Sequence, residues 1–335
     1  MFVGPRSFAA ANGVFPDINY FIPPDFKNLT TFILQGKFSL LYGHRQSGKT
    51  TMIQALAQHL REISNTVEVP GFPRGLEVYI ISFNAGINVE NGTGGFWASL
   101  CLKMQAGYPD RFPLDGDPCS SSTFQSHFRR ADNSRPVVLL FDEGSLLVNR
   151  DKSIVNDFIG TLRLLRDGRK EYCMHSLILA GVETVKWLLE SQSSISPFTR
   201  EATITPGYFT VANIKTLLDE YSTEVSIQLD SYTFAWDIYQ RTLGHKGLVG
   251  TCCAALETIV IPGHHSISIE QWELYAVSEL VRYIRGQDTY ASIVRSLGDL
   301  EENHRNIVVL ALRHGSARVK DVRQHIWFLF INLDH

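Results

Sequence analysis

The amino-acid sequence predicts an α/β fold: a three-layer α/β/α core on a parallel sheet, then an α-helical lid, then a small, mostly helical C-terminal region. Three observations predict it. Short, wholly apolar runs such as "FSLLY" (38–42), "PVVLLFDE" (136–143) and "SLILAG" (176–181) lack the polar alternation of a half-exposed strand, so they read as strands buried on both faces. Amphipathic stretches stand between them, as crossover helices must in a parallel sheet. Past Gly207 the strand-like runs cease and nearly every segment carries helical periodicity.

The elements follow in order. Residues 1–35 flank the core, with a Pro-rich start ("VFPDINYFIPPDF") and a helical stretch ("FKNLTTFILQG"). The core spans 36–207. After its first strand, "TTMIQALAQHLREI" places Met52, Ile53, Leu56, Ala57 and Leu60 on one helical face. "LEVYIISF" (76–83) is a second strand, "NAGINVENGTGG" a flexible loop, and a helix runs from Phe96. "TFQSHFRRA" suggests a short helix and "SIVNDFIGTLRLLRDG" an amphipathic one; "EATITP" (201–206) supplies a last strand. The lid is placed at 208–262, ending at the Pro/Gly break "IPGHHS" (261–266). Residues 263–335 form the C-terminal region, helical again from "IEQWELYAVSELVRYIRG", and "ALRHGSARVKDVRQHIWFLFINLDH" resembles the opening of a winged-helix module that stops early.

Composition excludes several classes. A chain of 335 residues has ample core, and a net charge of −3 argues against a nucleic-acid surface. The 5 cysteines are odd in number and scattered, without metal-ligand spacing. Adjacent Cys252 and Cys253 read as helix packing, and a reducing, intracellular compartment, cytoplasmic or nuclear, fits the set. The N-terminus makes a poor signal peptide, and no apolar run reaches membrane-spanning length. His264 and His265 point apart as neighbours, with no third ligand evident.

The chemistry begins in "KFSLLYGHRQSGKTTMIQALAQHL" (37–60). Gly43, Gly48, Lys49 and Thr50 fill the pattern G-x-x-x-x-G-K-[ST], with His44, Arg45, Gln46 and Ser47 between the glycines and Thr51 after them. Glycines let backbone N–H groups curl around phosphates. Lys49 would meet the β- and γ-phosphates, Thr50 would offer its hydroxyl to Mg²⁺, and the helix that follows aims its positive end at the same anion. The bare pattern arises by chance in on the order of one per cent of chains this long. Strand before and helix after reduce that further. A metal-side acid and a residue to position water follow in "VVLLFDE", where Asp142 would hold Mg²⁺ and Glu143 would act as general base. An adjacent Asp-Glu pair, with no Asn-Lys-x-Asp stretch, argues ATP over GTP.

Gly43–Thr50 followed by "VVLLFDE" resembles the Walker A and Walker B motifs of AAA+ and STAND-type P-loop ATPases. "GVFPDINYFIPP", Arg45-Gln46 and "GHKGLVGTCC" resemble AAA-like modules found in bacterial proteins and in fungal and oomycete Crinkler-type proteins, over roughly residues 8 to 260. The resemblance implies a P-loop NTPase fold and MgATP as cofactor. It also implies an arginine finger at Arg200 in "SPFTREATITP", and Asp17 and Tyr20 on the adenine side. It places "GHKGLV" (244–249) where the lid faces nucleotide, making His245 or Lys246 a phosphate contact; a helix N-terminus with a Gly turn is the plainer reading. At the expected sensor strand, "HSLILAG", no Asn or Thr stands at the end, which leaves Ser176 and Glu183 as candidates.

Three functions remain open on the sequence. The first is an ATP-binding and hydrolysing switch whose partner is a protein or another copy of itself. The second is a non-hydrolysing nucleotide-binding interaction module, and the third a nucleic-acid motor, which charge does not support.

Overall fold

The computed structural model describes residues 6–9, 14–15, 17–73, 75–83, 87, 91–114, 119–148, 151–190, 196–260 and 265–298. By packing the chain divides into two compact units. One holds Pro23–Arg45 and Lys49–Pro206; the other holds the described residues up to Ile22, Gln46–Gly48, and those from Gly207 onward.

The first unit runs α1 (Lys27–Leu34), β1 (Phe38–Tyr42), α2 (Lys49–Ile63), β2 (Glu77–Ser82), α3 (Gly92–Gly107), α4 (Ser121–Ser126), β3 (Val137–Asp142), α5 (Ser145–Val148), α6 (Lys152–Asp167), β4 (Met174–Gly181), α7 (Trp187–Glu190) and β5 (Thr203–Ile204). The strands form one sheet in the order β2-β3-β4-β1-β5, every pairing parallel. All six residues of β3 are buried, whereas edge strand β2 is only partly so, as expected for an inner strand covered on both sides.

The period-two alternation of a strand sorts β3 between two cores. Val137, Leu139 and Phe141 pack with Phe96, Trp97 and Leu100 of α3, Phe124 of α4 and Phe158 of α6. Val138 and Leu140 pack on the opposite face with Leu29 and Ile33 of α1 and with Met52, Ile53, Leu56, Ala57 and Leu60 of α2. The α2 residues are the face expected from the sequence.

Two expectations are corrected in this unit. The glycines of "NGTGG" do not form a loop: Gly92, Gly94 and Gly95 open α3, four residues before Phe96. Burial of Phe96, Trp97 and Leu100 against the sheet holds the helix despite the poor propensity of its first turn. Cys101 and Cys119 are joined as a disulfide between α3 and the segment before α4, a pairing the spacing did not announce.

The second unit contains α8 (Val211–Glu224), α9 (Ser231–Thr242), α10 (Lys246–Ile259), α11 (Ile269–Ser278), α12 (Leu280–Arg285) and α13 (Asp288–Gly298). Side chains fix its helix starts. Thr210 and Asn213 form a capping box on α8, Ser268 and Gln271 another on α11, and Asp230 accepts from Tyr232 and Thr233 N–H on α9. Leu218, Phe234, Ile238, Val249, Cys252, Cys253 and Trp272 make its core, so the paired cysteines pack in a helix as expected. The described N-terminal residues join this core: Phe8 and Tyr20 pack with Tyr221, and Arg6 pairs with Glu220 and Glu224. The winged-helix resemblance at 311–335 lies outside the described residues, as does His264. Among the described residues no helix is long and apolar enough to cross a membrane.

Phe158 meets the rings of Phe83, Phe96, Trp97 and Phe141 at 5.6–6.0 Å. Phe158→Ala is therefore expected to lower the unfolding free energy of the first unit by about 3–5 kcal/mol, read from urea denaturation followed by tryptophan fluorescence.

Candidate functional site

The site is built at the C-terminal ends of β1, β3 and β4. In a parallel sheet all such ends lie on one edge, and here β4 lies between the other two. Gly181 closes β4 and accepts the N–H of Gly43 at 3.3 Å. A Cβ on Gly181 would meet Ser145 Oγ at 2.8 Å and the side chain of Val185, so only glycine fits at this junction.

From β1 the chain enters the loop Gly43–Gly48 and then α2, which begins at Lys49. Two residues of the loop take the left-handed region: Gly48 (φ 90°) and Gln46 (φ 57°). Glycine accepts this freely; a residue with a side chain gives up about 1–2 kcal/mol. Glu143, first after β3, also has a positive φ (59°). Two of the four non-glycine residues with positive φ among the described residues thus stand here, on the loop and on the proposed base; the other two, Ser226 and Leu243, follow α8 and α9.

Lys49 Nζ donates to the carbonyl oxygens of Gly43 (2.9 Å) and His44 (2.7 Å), curling the loop around the ammonium. Burial lowers its pKa to about 8 against the opposing carboxylates of Glu143, Asp142 and Glu183, while Arg45 acts with burial. Thr50 Oγ1 donates to Asp142 Oδ2 at 2.7 Å, and Asp142 Oδ1 accepts the Glu143 N–H at 2.9 Å. Thr50 and Asp142 thereby present a hydroxyl and a carboxylate at one point, the hard oxygen chemistry that Mg²⁺ takes. The donor set fits that ion. Among the described residues no group of three or more His, Cys, Asp or Glu side chains is arranged to hold a metal.

The structure places the remaining candidates as follows. Arg200 is exposed on a 3-10 turn, Arg200–Ala202, directly ahead of β5. Ser176 lies early in β4 and donates to the Lys37 carbonyl at 2.6 Å, at the opposite end of the strand from the loop. Glu183, just past β4, acts on Lys49 electrostatically. In the second unit His245 caps α10, its Nδ1 accepting the Leu248 N–H at 3.2 Å. Lys246 follows, and its Nζ lies 3.5 Å from where a Cβ on Gly48 would stand. Burial lowers its pKa. Asp17 is exposed. Tyr20 is 4% exposed, its ring enclosed by Phe8 (4.6 Å), Tyr221 (5.7 Å) and the Arg6 guanidinium (4.8 Å), so its ring is committed to packing. His44, Arg45, Ser47 and Thr51 lie in the loop and the first turn of α2.

Sequence reasoning missed two groups. Ser145 Oγ accepts the Val182 N–H at 2.6 Å and so joins the turn after Glu143 to the end of β4. Thr289 and Tyr290 of α13 bond the side chain of Gln46. Nothing in local pattern marks either, because the partners are 37 and more than 240 residues apart.

The sequence matches no family profile and no curated protein. Solved structures resemble it. The Walker-type ATPase PABY2304 of Pyrococcus abyssi aligns with a TM-score of 0.55 at 14% identity, over 94% of this chain and 92% of that one. The ORC2 protein of Aeropyrum pernix, in ADPNP–ADP complexes, aligns at 0.52 and 14% identity over 80% and 70%. The ORC1 protein of the same organism, in complex with DNA, aligns at 0.50 and 14% over 84% and 73%. At such identity the likeness is one of fold: an α/β domain with the sheet order typical of P-loop and AAA+ ATPases, followed by helices.

The buried Lys49 ammonium predicts a pH dependence. Its folded pKa of about 8 lies below the ordinary 10.5, so the folded protein sheds that proton first as pH rises. Stability of the nucleotide-free protein is then expected to gain between about pH 8 and pH 10.5 from this group, because the unfolded chain binds more protons there. Lys49→Met should lack that gain, seen as a wild-type denaturation midpoint that rises relative to the variant's across the window.

Proposed function

We propose that this chain binds MgATP at Gly43–Thr51 and hydrolyses it, acting as a nucleotide-controlled switch of AAA+/STAND type. The observation that carries the reading is the hydrogen bond from Thr50 Oγ1 to Asp142 Oδ2. It joins the residue after the loop lysine to the acid closing β3, beside a half-buried ammonium.

Each residue has a role in this reading. The amides of the loop and of the first turn of α2 bind phosphate oxygens. Lys49, which bonds the carbonyls of Gly43 and His44, would meet the β- and γ-phosphates in a stronger charge-assisted contact. Thr50 and Asp142 hold the Mg²⁺, which when bound supplies neutralising charge to the phosphates. Glu143 takes a proton from the attacking water. The turn that carries Glu143 is pinned by Gly144 N–H on the Ala180 carbonyl (2.6 Å) and by Ser145 on Val182, which limits its motion relative to β4.

Of the two lid residues, His245 sets where α10 begins through Nδ1, and its other ring nitrogen or the Lys246 ammonium is assigned the phosphate contact. Arg200, exposed ahead of β5, is assigned to the nucleotide of a neighbouring copy. Asp17 is the remaining base-side candidate of its segment, since the Tyr20 ring is packed.

Steady-state hydrolysis tests the reading. Glu143→Gln is expected to retain ATP binding and lose roughly 10²-fold or more in turnover, and Lys49→Ala to lose binding. Wild-type turnover per molecule should rise with protein concentration and cease to do so in Arg200→Ala. Unchanged turnover in Glu143→Gln would exclude the general-base assignment, and binding without turnover at any concentration would leave a nucleotide-holding module.

A further inference from the structure

We propose that Thr289 and Tyr290 of α13 are positioning residues for the phosphate loop, acting through Gln46. The proposal rests on the nucleotide-binding reading of that loop. Gln46 sits between the two loop glycines with φ 57°, a conformation that a side-chain-bearing residue keeps only when its surroundings over-determine it. The surroundings do so. Gln46 Nε2 donates to Thr289 Oγ1 at 3.1 Å, and the Tyr290 hydroxyl donates to Gln46 Oε1 at 2.8 Å, so both ends of the amide are held by one helix. The Gly247 N–H donates to the Gln46 carbonyl at 3.1 Å, so α10 holds the backbone of the same residue.

Steric fit agrees with the hydrogen bonds. A Cβ at Gly247 would stand 2.5 Å from Gln46 Cβ, leaving room for glycine alone while Gln46 stays in place. Thr251, one turn further along α10, donates to the Gly247 carbonyl at 2.8 Å. Gln46, Gly247, Thr289 and Tyr290 therefore form a closed polar clasp around one residue of the loop.

The clasp is uncharged, which suits its place. An acid here would compete with phosphate for Lys49, and a base would draw the phosphate off the loop amides. A neutral clasp orders the loop and leaves its positive field intact. An ordered loop loses less conformational entropy when nucleotide binds, so the clasp should act on affinity. It makes no contact with the reacting atoms, so turnover of bound ATP should not depend on it.

The test uses Tyr290→Phe, which removes the hydroxyl and keeps the ring, and Gln46→Met, which keeps the length and removes the amide. Tyr290→Phe is expected to raise the Kd for MgATP about fivefold, the scale of one part-buried neutral hydrogen bond, and Gln46→Met, which breaks both bonds, to raise it further. The double variant should fall short of the combined single effects, because both changes break the Tyr290–Gln46 bond. Tyr290→Phe should raise KM and leave kcat unchanged. Without added nucleotide, hydrogen–deuterium exchange of amides 43–48 should be faster in Tyr290→Phe, with the melting temperature lowered by no more than about 4 °C. Wild-type affinity and wild-type loop exchange in Tyr290→Phe together overturn the proposal, and so do fully additive effects in the double variant. If wild-type protein takes up no MgATP, the nucleotide reading fails separately. Loop exchange then decides the clasp: faster in Tyr290→Phe upholds it, unchanged overturns it.

Discussion

The parallel alignment of β1, β4 and β3 is the constraint on which the rest depends. Parallel strands put all their C-terminal ends on one edge, so the loop after β1 and the acid closing β3 must emerge together. Only a glycine at the end of β4 lets them meet across it, since a side chain at Gly181 would strike Ser145 and Val185. The Thr50–Asp142 hydrogen bond follows from that edge. So does the partial burial of Lys49, whose ammonium is drawn onto the carbonyls of Gly43 and His44.

Strain and charge meet at the same edge. Gln46 and Glu143 both take left-handed backbone without being glycine, and each is held by identifiable bonds. Gln46 is fixed by α10 and α13; the turn beyond Glu143 is pinned to β4 through Gly144 and Ser145. The half-buried ammonium loses part of its hydration, and a polyanion would supply negative charge that the loop carbonyls only approximate. Stability given up at the site is recovered elsewhere, in the aromatic cluster around Phe158 and in the helix packing around Trp272.

Local pattern made much of this legible. The helical face Met52, Ile53, Leu56, Ala57 and Leu60 was readable because residues three and four apart share a face, and it is buried as read. The all-apolar β3 was readable because a strand covered on both sides has no polar alternation. Failures came where packing outweighs propensity or where partners are distant. The glycine-rich "NGTGG" reads as loop by composition, yet the burial of Phe96 and Trp97 draws it into α3. Ser176 stood in the expected sensor strand, but the register of β4 sets it beside Lys37, far from the loop. Tyr20 looked available to a base, whereas Phe8, Tyr221 and Arg6 enclose its ring.

The sequence by itself determined which residues can carry chemistry, and that helices cover both faces of a parallel sheet. These depend on residue type and short periodicity, which a linear string records in full. Only the tertiary structure decided the strand order, the meeting of Thr50 with Asp142, the pairing of Cys101 with Cys119, and the clasp of Thr289 and Tyr290 on Gln46. Each joins residues between 18 and 244 positions apart. Whether such groups touch depends on how whole elements pack, and elements pack by burying area, which constrains a helix face but names no partner for a single side chain.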